Sequence, residues 1–164
     1  MPAAIHVKPM DEQNYLQKHA LLCLFFGVLS SFNFIYILFS EQIRSVPFLH
    51  ESLLFIGVLG FITMVVITFK TAIATKKVKN STYYYGNFQD EYLNHVNAKG
   101  YKYVFNFMCF YLITLWLVTF SMQISANELL LSISFSQFIM VTFGLMFISY
   151  SVPVLYLLKG ADDE

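Results

Sequence analysis

The chain has 164 residues, of which 57% are hydrophobic and only 12% charged, and its formal net charge is zero. A soluble domain carries about 25% charged residues, so this chain lacks the polar surface to cover a water-soluble core, and a bilayer must be part of its solvent. The zero net charge speaks against a general nucleic-acid binder.

Residues 1–19 are polar and mixed, with His6, Lys8, Asp11, Glu12 and Lys18. The acidic pair does not suit the basic start of a secretory signal. The apolar run from Ala20 to Phe39 has the length of about 20 residues that crosses a bilayer. It is expected to be an uncleaved first span, residues 20–39. A short loop, Ser40 to Glu51, holds Arg44, Pro47 and His50. The second span covers 53–69. Its helix is expected to continue into water through Lys70, Lys76, Lys77 and Lys79, because no breaker interrupts it and lysines suit a helix C-terminus. Asn80 to Asn87 ends it, with Gly86-Asn87 as a turn signal.

The stretch from Gln89 to Ser121 starts polar and becomes almost wholly apolar at Tyr103. It reads as one long helix whose first turns stand in water and whose remainder, 103–121, spans the bilayer. Asp90 and Glu91 are acids favoured in a first helical turn. Gly100 interrupts the apolar face and is expected to permit a bend. Ser125-Ala126-Asn127-Glu128 has the form of a capping box. The fourth helix is expected to start there, span the membrane over 129–152 and run to about Leu158. Such a helix exceeds an upright span and must tilt or kink, with Pro153 as the expected kink. Residues 159–164 form an acidic tail.

The fold expected is an all-α membrane protein of four spans, with a helical hairpin, residues 70–102, extending into water between the second and third. Lys8, Lys18, Lys70, Lys76, Lys77, Lys79, Lys99, Lys102 and Lys159 then share one side, and Arg44 stands alone on the other. The positive-inside rule places both termini in the cytoplasm. A faint internal repeat pairs Asp11-Glu12 and Tyr15-Leu16 with Asp90-Glu91-Tyr92-Leu93, each ahead of a span.

No ionisable side chain lies in the middle of a span, whereas coupled transporters usually place one there. The strongly polar residues inside are Asn33, Asn106 and Gln137. Their expected role is interhelical hydrogen bonding, and a polar pathway is the alternative. Gly27, Gly57, Gly60 and Gly144 point to close helix packing. Cys23 and Cys109 fall in apolar runs and read as buried free thiols. His6, His19, His50 and His95 form no pair at the i, i+3 or i, i+4 spacing of a helical metal site. No G-x-S-x-G motif occurs and no carboxylate pair has an obvious pocket. Asn80-Ser81-Thr82 matches a glycosylation sequon but sits on the expected cytoplasmic side. No catalytic, metal or cofactor site is therefore assigned. Lys76, Lys77 and Lys79 are candidate lipid-headgroup contacts, since a juxtamembrane basic cluster attracts anionic lipid. Tyr83, Tyr84, Tyr85, Phe88, Tyr92 and His95 are candidate partner contacts on the hairpin. Trp116 and Tyr36 read as ordinary bilayer aromatics.

The segment Asp90-Glu91-Tyr92-Leu93-Asn94-His95-Val96-Asn97-Ala98-Lys99-Gly100, with the span that follows to about residue 120, resembles the lead-in of small bacterial inner-membrane proteins to which no activity is assigned. In that group an Asp-Glu-Arg start and a Lys-Ala pair precede the span; here Tyr92 stands for the arginine and Gly100 for the alanine. The resemblance implies a bacterial inner-membrane setting and no chemistry. The function expected is that of a non-enzymatic accessory or regulatory membrane protein, embedded in lipid, that binds a protein partner or its own copies through the hairpin and its membrane helices. The alternative is a small transporter or channel subunit.

Overall fold

The computed structural model describes residues 8–121 and 134–161. Among the described residues six α-helices follow one another: α1 (Pro9–Leu38), α2 (Ser40–Arg44), α3 (Pro47–Thr75), α4 (Asn80–Tyr85), α5 (Glu91–Ser121) and α6 (Phe135–Ala161). Three of them, α1, α3 and α6, are long and apolar enough to cross a membrane. Helices suit that environment because every backbone polar group finds its partner within the segment.

The helix ends follow local chemistry. Pro9 and Pro47 stand at the starts of α1 and α3, where a missing N–H costs nothing. Asp90 caps α5: its Oδ1 accepts from Tyr92 N at 2.8 Å and Leu93 N at 3.2 Å. Ser134 caps α6 in a reciprocal box, with Ser134 N donating to Gln137 Oε1 at 2.7 Å and Gln137 N to Ser134 Oγ at 3.3 Å. The described start of α6 is therefore Phe135, nine residues after the alanine of the Ser125–Glu128 pattern, which itself lies outside the described residues. Helix α3 stops at Thr75 and does not reach Lys79. A turn follows, with Lys77 N donating to Ala74 O and Val78 N to Thr75 O.

Helices α1 and α6 form the central pair, with α3 packed on α1 and α5 on α6. The pair closes at two glycines. A Cβ on Gly27 would stand 2.6 Å from Gly144 O, and one on Gly144 would stand 3.0 Å from Gly27 O. In lipid, helix association relies on such close van der Waals packing. Gly100 serves α5 in the same way. A Cβ there would meet Val154 at 2.6 Å and the Tyr150 ring at 2.9 Å. Gly100 is thus a contact with α6, and α5 runs through it as a single helix.

The buried core lies at one end of this arrangement. Tyr15, Leu16, Ala20 and Cys23 of α1 meet Ala74 of α3, Phe88, Leu93 and Val96 beside or within α5, and Tyr150, Val154 and Leu158 of α6. This is the lysine-rich end, where α1 and α5 begin and α3 and α6 finish. Elsewhere little is enclosed: none of the most apolar window of α3 is buried. The last turns of α6 are long and apolar because they complete this core. Cys23 is buried as expected, whereas Cys109 is exposed on α5, and both are free thiols.

Gly144→Leu should force α1 and α6 apart and lower stability by about 1–3 kcal/mol, the usual cost of overpacking. Gly160→Leu, where a Cβ meets nothing within 4 Å, is the control. Thermal unfolding in mild detergent should show a clear loss of melting temperature for the first and little change for the second.

Candidate functional site

The most organised polar chemistry gathers at the lysine-rich end, around a side chain that sequence reasoning passed over. Glu12 is fully buried. A buried carboxylate is tolerated only when its oxygens are well supplied with donors. Here Gln89 N donates to Oε1 at 3.1 Å and to Oε2 at 2.9 Å, and Asp90 N donates to Oε2 at 3.3 Å. Thr82 Oγ1 lies 3.3 Å from Oε1 and donates at 2.8 Å to Asn87 O. The carboxylate thus closes on the backbone amides that lead into α5. Unpaired amides and the helix dipole both favour an anion at that place.

The turn between α4 and α5 is held by three further side chains. Asn94 presents its amide edge to Phe88, accepting from Phe88 N at 2.8 Å and donating to Phe88 O at 2.6 Å. Asn97 Nδ2 donates to Gly86 O at 3.2 Å, and Tyr150 Oη donates to Asn97 Oδ1 at 2.7 Å. Gly86 has φ +65°, and a Cβ there would fall 2.6 Å from Asn97 Nδ2; only glycine takes that conformation cheaply. Tyr92 Oη caps a last-turn carbonyl of α6, Leu157 O, at 2.8 Å. On the far side of α1, Thr71 Oγ1 of α3 lies 3.3 Å from Lys18 O. Asp11 pairs with Lys77 at 3.8 Å, a contact exposed enough to add little stability. All four long helices are joined at this end through polar groups.

The candidate partner residues separate on this frame. Phe88 is buried against Tyr15, with ring centroids 6.5 Å apart, so its ring belongs to the core and is not offered to a partner. Tyr92 is partly exposed but its hydroxyl is engaged by α6. Tyr83 and Tyr85 of α4 and His95 of α5 are exposed. The side chain of Tyr84 lies outside the described part. Lys76 and Lys77 are exposed beside α4, and Lys79 is half-buried.

Asn33, Asn106 and Gln137 are not brought to one place. Asn33 Nδ2 contacts Met140 Sδ at 3.3 Å across α1 and α6. Gln137 lies further along the same seam, lining a small cavity with Phe34, Ile37 and Leu38, but its amide is engaged in capping α6. Its expected interhelical bond is therefore replaced by a local one, because α6 begins just after Ser134, three residues earlier. Asn106 stands on the outward face of α5. Tyr36 and His50 bond at 2.9 Å and stack, tying α1 to the start of α3 at the opposite end. A groove of about 550 Å³ runs between α1 and α3, lined by apolar side chains such as Leu29, Phe32, Leu53, Gly57 and Phe61 together with Asn33.

No family, curated protein or solved structure matches the chain.

Glu12→Gln places an amide donor among backbone donors. Such a substitution should cost about 1–3 kcal/mol, the penalty of an unsatisfied buried polar group. Glu91→Gln, on an exposed side chain, should cost little. Thermal denaturation of both variants in the same detergent checks the contrast.

Proposed function

We propose that the chain is an integral membrane accessory protein without catalytic activity, which presents its lysine-rich end to a protein partner. Helices α1, α3 and α6 cross the bilayer, and the apolar part of α5, from Tyr103 onward, makes a fourth span. Both termini then lie in the cytoplasm, with Arg44 outside, in a setting such as a bacterial inner membrane. The region 70–102, with α4 at its tip, stands in the cytoplasm between the second and third spans.

The observation that carries this reading is the contrast between the two ends. A dense core with a satisfied polar network occupies the lysine-rich end, and Tyr83 and Tyr85 stand exposed at its rim. The apolar flanks of α3 and α5 are left open along most of their length. Tyrosines on a rigid support are effective interface anchors. A protein that fixes the turn following α4 so firmly is suited to presenting a constant surface. The dispersal of Asn33, Asn106 and Gln137 gives a conduction pathway less support.

The test is purification from native membranes in mild detergent. Tyr83→Ala with Tyr85→Ala should reduce recovery of a stoichiometric partner about tenfold, as expected when interface anchors are lost, without altering insertion or melting temperature. Undiminished recovery would contradict the reading. The topology is tested separately in a background lacking the native cysteines. A membrane-impermeant maleimide applied to intact cells should label Arg44→Cys and leave Lys159→Cys unlabelled. The reverse pattern would invert the orientation.

A further inference from the structure

The face of α5 turned away from α6 carries a second polar constellation. Leu93, Val96, Asn97 and Gly100 are buried on the packed side. His95, Ala98, Lys99, Lys102, Tyr103 and Asn106 border a separate shallow recess on its open face. At 100° per residue they fall on one stripe, opposite the packed face, over a rise of roughly 16 Å. His95, Lys99, Lys102 and Asn106 are all exposed. The acid of the described part of α5 on this stripe is Glu91, one turn beyond His95 toward water.

Depth makes the stripe informative. Gly100 abuts Tyr150, and Tyr150 contacts His19 of α1. Lys99 and Lys102 therefore lie level with the start of the apolar run of α1. Below them the same stripe of α5 exposes Phe110, Ile113 and Leu117. Two ammonium groups, an imidazole and an amide thus stand directly above an open apolar surface. A lysine is a compact point charge suited to phosphate, and an apolar surface suits acyl chains.

From this placement we propose that the stripe is a binding site for the phosphodiester headgroup of an anionic phospholipid. Lys99 and Lys102 hold the phosphate, His95 and Asn106 bond the headgroup from either side, and the acyl chains lie along Phe110 and Ile113. The site is distinct from Lys76, Lys77 and Lys79, which lie beyond the end of α3. It rests on the reading of Tyr103 to Ser121 as a span.

Native mass spectrometry of the detergent-solubilised protein tests it, with phosphatidylglycerol, phosphatidylcholine of the same chains, and soluble glycerol phosphate as probes. Phosphatidylglycerol should be retained preferentially. Lys99→Gln with Lys102→Gln should weaken retention about tenfold or more, since each lysine near a headgroup contributes appreciably. Lys76→Gln with Lys79→Gln, which removes the same charge, should leave it within about twofold, the small effect of charges remote from the bound headgroup. Lys99→Arg with Lys102→Arg should restore it. Equal loss for the two glutamine pairs, or no loss for the first, would overturn the site. Equally tight binding of glycerol phosphate would overturn a lipid as its source. Cys109, exposed on α5, reports the span independently: an impermeant maleimide should leave it unmodified in lipid nanodiscs, and modification would show that the span reading, not the headgroup chemistry, has failed.

Discussion

A carboxylate removed from water must find donors for its oxygens or give up its charge. Glu12 meets that demand with the amides of Gln89 and Asp90 and with the Thr82 hydroxyl nearby. The consequences extend well past one side chain. The start of α5 is fixed against α1, so Leu93 and Val96 face the core and Asn97 reaches Tyr150 of α6. The direction of α5 then decides which of its residues face outward. Lys99 and Lys102 point away from the bundle because Gly100 is pressed against α6 on the other side.

The unequal burial along the molecule has a simple physical origin. In water, apolar area is driven together at about 25 cal/mol per Å². Between helices in lipid that drive is absent, and packing and a few polar contacts remain. A dense core at one end and thin contacts along the apolar lengths suit helices that are apolar enough to cross a membrane. The seam at Gly27 and Gly144 is the place where backbone approach holds the central helices together within the apolar region. The flanks of α3 and α5 are open along most of their length.

Several of these features were legible from the sequence, each through a local signal. Long apolar runs marked α1, α3 and α6, since no other structure uses so many apolar residues in succession. Asp90 announced the start of α5, and Gly27 and Gly144 announced close packing. What was missed depended on distant partners. Nothing near Glu12 reveals that its donors stand at Gln89 and Asp90; an acidic pair before a span reads as solvated surface. Phe88 beside a turn looked like an exposed aromatic because the pocket that takes it is built by Tyr15 and the core around it. Gln137 read as an interhelical contact because nothing around it announces that α6 begins at Phe135 with Ser134 as its cap. The end of α3 at Thr75 was invisible for want of a breaker; a turn stabilised by packing on α1 stops it.

The central claim is that the turn leading into α5 is locked by Glu12 from beneath. Residue-resolved amide hydrogen exchange of the unaltered protein in nanodiscs tests it most directly. The amides of Gln89 and Asp90 precede the helix and would exchange as freely as those of an open loop if left to water. The account predicts that they are protected to the degree of the buried helical amides of Val96 and Asn97. Exchange at the rate of an unstructured peptide at Gln89 and Asp90, with Val96 and Asn97 still protected, would contradict it.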